Sequence, residues 1–193
     1  MLNQKKIHYN CNLSTFLHHN SINPKILDMK KIAVIIFSLL LAQGVSAQNI
    51  TFTVPEIPGE IEKSEYANYT LPAMDCIEWL KTHSPNDPQR KEVSEFAVWW
   101  LFGTPDVRIE LNAAAANFEN RNLLILLLGG WAQYAIQYKS DDQLEGCLAG
   151  MNTALNYYVK YKKELGKDRG AEQFLKMRDK GTLKSYLEEL MPK

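Results

Sequence analysis

The chain has 193 residues, and its 22 lysine and arginine residues balance 22 aspartate and glutamate residues. With 46% hydrophobic and 23% charged residues, the composition is that of a globular protein and excludes a disordered, a collagenous or a polytopic membrane protein. Zero net charge gives no electrostatic reason to expect nucleic-acid binding, and three cysteines are too few for a disulfide-rich scaffold.

Residues 29–47 have the pattern of a secretory signal peptide. They begin with Met-Lys-Lys, continue with an apolar run at 32–41, and end with small residues before a cleavage point after Ala47. The apolar run is about half of the ~20 residues that a transmembrane anchor needs. A lipoprotein would need cysteine where Gln48 stands. We therefore expect a periplasmic or secreted protein, with residues 1–28 as a spurious upstream extension.

Removal of residues 1–47 changes the composition of the working protein. Five basic residues and one acidic residue leave, so the net charge becomes −4. One histidine, His83, and two cysteines, Cys76 and Cys147, remain. The mature length is that of a single domain able to bury about two-thirds of its unfolded surface.

Residues 48–70 form an arm that contains proline and glutamate and precedes a helical domain at 71–193. At 50–54, apolar residues alternate with threonine, which predicts a short strand. Residues 107–111 alternate in the same way, and a strand or a short helix fits them. If both are strands, they can pair as a small two-stranded flap.

The next patterns predict the first half of a mainly α, helical-bundle-like domain of five to seven helices. A helix is expected at 71–81, and a second begins at Asp87-Pro88 and ends near Gly103. Residues 123–136 are apolar on nearly all sides and predict the most buried helix. Its Gly129-Gly130 pair costs ~2 kcal/mol relative to alanine, so we expect close helix packing or a kink there.

The second half of the domain contains three further predicted helices. Ser140 and Gln143 read as a capping box that opens a helix running to Leu165. Two shorter helices are expected at 168–180 and 183–190, each separated by a glycine from the helix before it.

Cys76 and Cys147 both lie on the apolar faces of predicted helices. An oxidising compartment favours a disulfide between them, which would stabilise the protein by roughly 4 kcal/mol in the chain-entropy model. Two buried free thiols are the alternative.

The mature chain lacks the common catalytic motifs. A single histidine, His83, excludes a zinc site with several histidines. No nucleophile elbow, dinucleotide fingerprint or P-loop is present, and no cofactor or metal is predicted. Carboxylates are plentiful, but their spacing selects no pair for glycoside hydrolysis.

Trp99, Trp100 and Trp131 are a candidate patch for a ligand or partner, although aromatic residues at helical spacing are usually core. Trp99 and Trp100 lie about 100° apart on a helix, so they need not share an environment. A candidate anion-facing patch near a helix end consists of Lys160, Lys162, Lys163, Lys167 and Arg169.

The Met-Lys-Lys signal and three later segments together resemble small exported helical proteins of Gram-negative bacteria: Cys76–Trp79, Phe96–Pro105 and residues 126–135. The resemblance implies export and a helical fold, and it supplies no catalytic residue. We therefore expect a non-enzymatic domain that binds a protein or a small ligand in the cell envelope. A cell-wall or glycan hydrolase with an unidentified carboxylate pair is the alternative.

Overall fold

The computed structural model describes residues 52–191, which belong to one mainly helical unit. A 3-10 helix, Lys63–Tyr69, leads directly into the first α-helix. The prediction of a mainly α domain with five to seven helices is confirmed. Within the described residues the α-helices are α1 Thr70–Thr82, α2 Arg90–Gly103, α3 Arg121–Tyr138, α4 Gln143–Leu165, α5 Arg169–Asp179 and α6 Leu183–Leu190.

Helix α3 is the centre of the domain. It packs most extensively against α4 and also contacts α1 and α2. Its glycine pair lies at two of these crossings, because a Cβ atom at Gly129 would lie 2.9 Å from Ile77 of α1 and one at Gly130 would press on Thr153 of α4. The expected close packing is confirmed, and it offsets the ~2 kcal/mol that the two glycines cost the helix.

Helix α4 starts later than the capping box predicts. Its N-cap is Asp142, whose Oδ1 accepts a hydrogen bond from the Glu145 N–H at 3.0 Å. The Ser140 hydroxyl instead accepts from the Asp142 N–H in the preceding turn at 3.2 Å. The capping box is therefore wrong, and the Gln143 side chain is free to bind another part of the chain.

The buried carboxylate of Asp168 joins two distant parts of the chain. Its Oδ1 accepts a hydrogen bond from the Ala171 N–H at 2.9 Å and so caps α5. Its Oδ2 accepts from the N–H groups of Glu119 and Asn120, both at 2.8 Å. The loop that precedes α3 is therefore fastened to the start of α5.

The predicted two-stranded flap is wrong. Residues 107–111 pair with no strand in the described part of the chain. Their side chains alternate between two cavities, as those of an extended chain do. The side-chain amide of Gln143 bonds to their backbone instead: it donates to the Arg108 carbonyl at 3.0 Å and accepts from the Glu110 N–H at 2.8 Å.

The arm packs against α1 and α2 and not, as predicted, against residues 107–111. Phe52 lies 6.0 Å from the ring of Trp79, and its carbonyl accepts a hydrogen bond from the Gln89 side chain at 3.0 Å. The first arm residues, 48–51, and the expected signal peptide and upstream extension, 1–47, lie outside the described residues.

Cys76 on α1 and Cys147 on α4 are buried free thiols. The predicted disulfide between them is absent, because α3 packs against both helices while α1 and α4 touch each other only slightly. Burial raises the pKa of both thiols to about 12, so the cysteines act as small apolar core residues.

Candidate functional site

The three tryptophans do not form one exposed patch. Trp100 is fully buried and donates its indole N–H to the Tyr66 carbonyl at 3.2 Å. Trp131 is 1% exposed and lies against Gly146 of α4. Trp99 is half-buried and stacks on Tyr66 with ring centroids 4.9 Å apart. The adjacent Trp99 and Trp100 therefore lie in different environments, and Trp100 and Trp131 present almost no exposed surface to a ligand.

The anion-facing patch is partly neutralised by neighbouring carboxylates. Lys162 pairs with Glu172 at 2.5 Å, and Arg169 pairs with Glu119. The hydrogen bond from each cation lowers the pKa of its carboxyl partner. The three remaining cations of the patch are Lys160, Lys163 and Lys167. They form no ion pair with any residue in the part of the chain that the structure describes.

His83, the one histidine between residues 52 and 191, has structural contacts. The His83 ring stacks on Trp79 at 3.9 Å with an interplanar angle of 8°, and its Nδ1 lies 2.9 Å from the Trp79 carbonyl. Between residues 52 and 191, no group of three or more histidine, cysteine, aspartate or glutamate side chains is placed to hold a metal ion. None of the helices in that range is long and apolar enough to cross a bilayer.

A cavity lined mainly by apolar side chains lies where α2 ends. We call it the apolar groove, and its volume is about 290 Å³. Its walls come from the end of α2, from the extended segment that follows and from α3, and Phe102 is 81% exposed at this site. The lining residues are Leu101, Phe102, Thr104, Val107, Ile109, Leu111 and Leu128.

The alternation in residues 107–111 builds this groove. Val107, Ile109 and Leu111 line it, whereas Arg108 lines a different cavity of about 610 Å³. Alternate side chains of an extended chain point to opposite sides, so one segment separates an apolar cavity from a charged one. The alternation in the sequence therefore marks two opposite sides of one segment rather than a paired strand.

The charged cavity contains a strained residue. Lys139 has φ +49° and is the only non-glycine residue with positive φ in the described range. It ends α3, where its N–H donates to the Ala135 carbonyl. Side chains of both signs line the cavity, including Asp106, Arg108 and Asp141, so it presents no single charge to a ligand.

Carboxylates converge at one shallow depression between the arm and α2. Glu56, Glu92 and Glu95 all line it, and its volume is about 360 Å³. Glu95 is paired with Lys91 at 3.8 Å. Three carboxylates thus share this cavity.

No family model, curated protein or solved structure matches the chain.

Proposed function

We propose that the protein is an exported, non-enzymatic binding domain of the cell envelope that takes an apolar ligand in the apolar groove. The observation that carries the proposal is the combination of a 290 Å³ apolar cavity with a large exposed aromatic side chain, Phe102. Binding sites are typically concave and mainly apolar. An exposed phenylalanine beside such a cavity is costly to leave in water and gains free energy when a ligand covers it.

The proposal is tested with the chain that begins at Gln48 and a fluorescent apolar dye such as Nile red. Phe102→Ser should weaken dye binding about tenfold or more, because covering a phenylalanine contributes about 1.5–3 kcal/mol. Leu71→Ser is the matched control, since Leu71 is 77% exposed on α1 and lies outside the groove. Equal dye binding by wild type, Phe102→Ser and Leu71→Ser would contradict the proposal.

Export rests on the signal pattern at 29–47. Expression of the full sequence in a Gram-negative host should give a periplasmic or secreted protein whose first residue is Gln48. N-terminal sequencing of the purified protein measures this directly. A different first residue would contradict cleavage after Ala47.

Hydrolysis of cell-wall or glycan material is the second candidate function. Its support is the depression lined by Glu56, Glu92 and Glu95, because glycoside hydrolases use a pair of carboxyl groups in a cleft. Release of dye from labelled peptidoglycan should then be lost in Glu92→Gln or Glu95→Gln and kept in Phe102→Ser. No release by the wild-type protein would reject the hydrolase.

A further inference from the structure

The extended segment 107–111 has one backbone edge that is hydrogen-bonded within the protein, the closed edge, and one that is not, the open edge. Gln143 bonds to the Arg108 carbonyl and the Glu110 N–H, which lie on one side of the segment. In an extended chain the backbone groups of alternate residues point to the same side. The opposite edge therefore carries the N–H and C=O groups of Val107, Ile109 and Leu111.

These groups on the open edge make no hydrogen bond with any residue between 52 and 191. The side chains of Val107, Ile109 and Leu111 are half-buried and line the apolar groove. An unpaired extended edge is a template for a further strand. The open edge and the groove are therefore adjacent parts of one surface.

Gln143 prepares this surface for pairing. Its two hydrogen bonds, at 2.8 and 3.0 Å, reproduce the contacts of a neighbouring strand on the closed edge. The segment is therefore already extended before a ligand arrives. Because pre-organisation lowers the entropic cost of binding, a short peptide can gain affinity from main-chain hydrogen bonds.

We propose, building on the proposed function, that the ligand is an extended peptide segment that adds as a strand to the open edge of residues 107–111. Main-chain bonds would give affinity, and alternate apolar side chains would enter the groove beside Phe102. The intervening side chains would lie beside Arg108 and Glu110. Arg108 and Glu110 pair with each other. Because opposite charges stabilise cross-strand pairs, an acidic residue opposite Arg108 and a basic residue opposite Glu110 extend this pair into a network.

The matching antiparallel probe is the acetylated, amidated peptide Thr-Val-Lys-Val-Glu-Val-Thr with a fluorescent label. Its central valine lies opposite Ile109, whose N–H and C=O both face the open edge. N-methylation of that valine should weaken binding about tenfold or more, because it removes a donor and blocks the edge. N-methylation of the adjacent glutamate is the matched control and should change affinity less than about threefold, because its N–H points away from the edge.

Binding is measured by fluorescence anisotropy with the chain that begins at Gln48, together with its Phe102→Ser and Leu71→Ser variants. Peptide binding that is weakened by Phe102→Ser and by methylation of the central valine supports the proposal. Equal binding of both methylated peptides overturns strand addition, and so does absence of peptide binding. In either case, Nile red binding that still depends on Phe102 leaves the proposed function standing. Loss of that dependence rejects both.

Discussion

Arg90 provides the sharpest test of how the helices are held together. It is the first residue of α2, and it is 5% exposed. Its Nη1 donates to the carbonyls of Leu80 at 3.1 Å and His83 at 3.2 Å, and its Nε donates to Asn122 Oδ1 at 2.7 Å. One guanidinium therefore links the end of α1, the start of α2 and the start of α3.

The change proposed is Arg90→Met, which keeps an unbranched side chain of similar length. Each hydrogen bond to a charged group contributes about 1.5–3 kcal/mol, and the guanidinium carbon also lies 4.8 Å from the ring centroid of Tyr157, a contact worth about 0.5–2 kcal/mol. Burial of the guanidinium costs desolvation free energy, which also lowers the pKa of Arg90. Removing the buried charge therefore recovers several kcal/mol. We expect a net loss of about 3 kcal/mol in the free energy of unfolding.

The assay is urea unfolding followed by tryptophan fluorescence, with the loss read from the transition midpoint at constant slope. Lys91→Met is the matched control, because the Lys91 side chain is 86% exposed and its pair with Glu95 spans 3.8 Å. The control should change stability by less than about 0.5 kcal/mol. Equal midpoints for Arg90→Met and Lys91→Met would refute the assignment of Arg90 as the link between the helices.

Three further predictions concern the core and the helix ends. In the native protein Cys76 and Cys147 should resist iodoacetamide at pH 8, because burial raises their pKa to about 12. In denaturant without reductant both should react in the chain that begins at Gln48, and a mass increase short of two labels would contradict free thiols. Gly150→Ala should cost about 3 kcal/mol or more in urea unfolding, because the new methyl group would overlap a backbone carbonyl of α3. Gly59→Ala is its control, because a Cβ atom added at Gly59 would meet no other part of the protein within 4 Å. It should cost less than about 0.5 kcal/mol. Lys139→Gly should raise the thermal midpoint, because glycine relieves about 1 kcal/mol of strain at φ +49°; a lowered midpoint would contradict this.

The helices could be predicted because their signals are local. The apolar run at 123–136 lies inside α3, Arg121–Tyr138. The predicted end of α4 at Leu165 is confirmed, and Gly166 follows it with φ +74°, a conformation that glycine adopts without steric cost. Such information lies within a few residues of each helix end.

The candidate site could not be predicted, because it depends on contacts between distant residues. The alternation at 107–111 fits a strand or a short helix, and the segment forms neither: its backbone bonds to a single side chain, Gln143, rather than to a second strand. Spacing along the sequence likewise cannot show whether two cysteines approach each other. Helical periodicity places Trp99 and Trp100 on different faces, yet only the packing of the helices decides which face is core.

Asp168 fastens the loop before α3 to the start of α5, so this loop takes part when the C-terminal helices detach from the domain. Helices α5 and α6 contact α4 and each other, and a C-terminal pair of this kind would otherwise open as an independent sub-global unit. Its detachment must release the N–H groups of Glu119 and Asn120, which Asp168 holds at 2.8 Å. These two amides, about fifty residues away in the sequence, should therefore exchange with solvent deuterium together with those of α5.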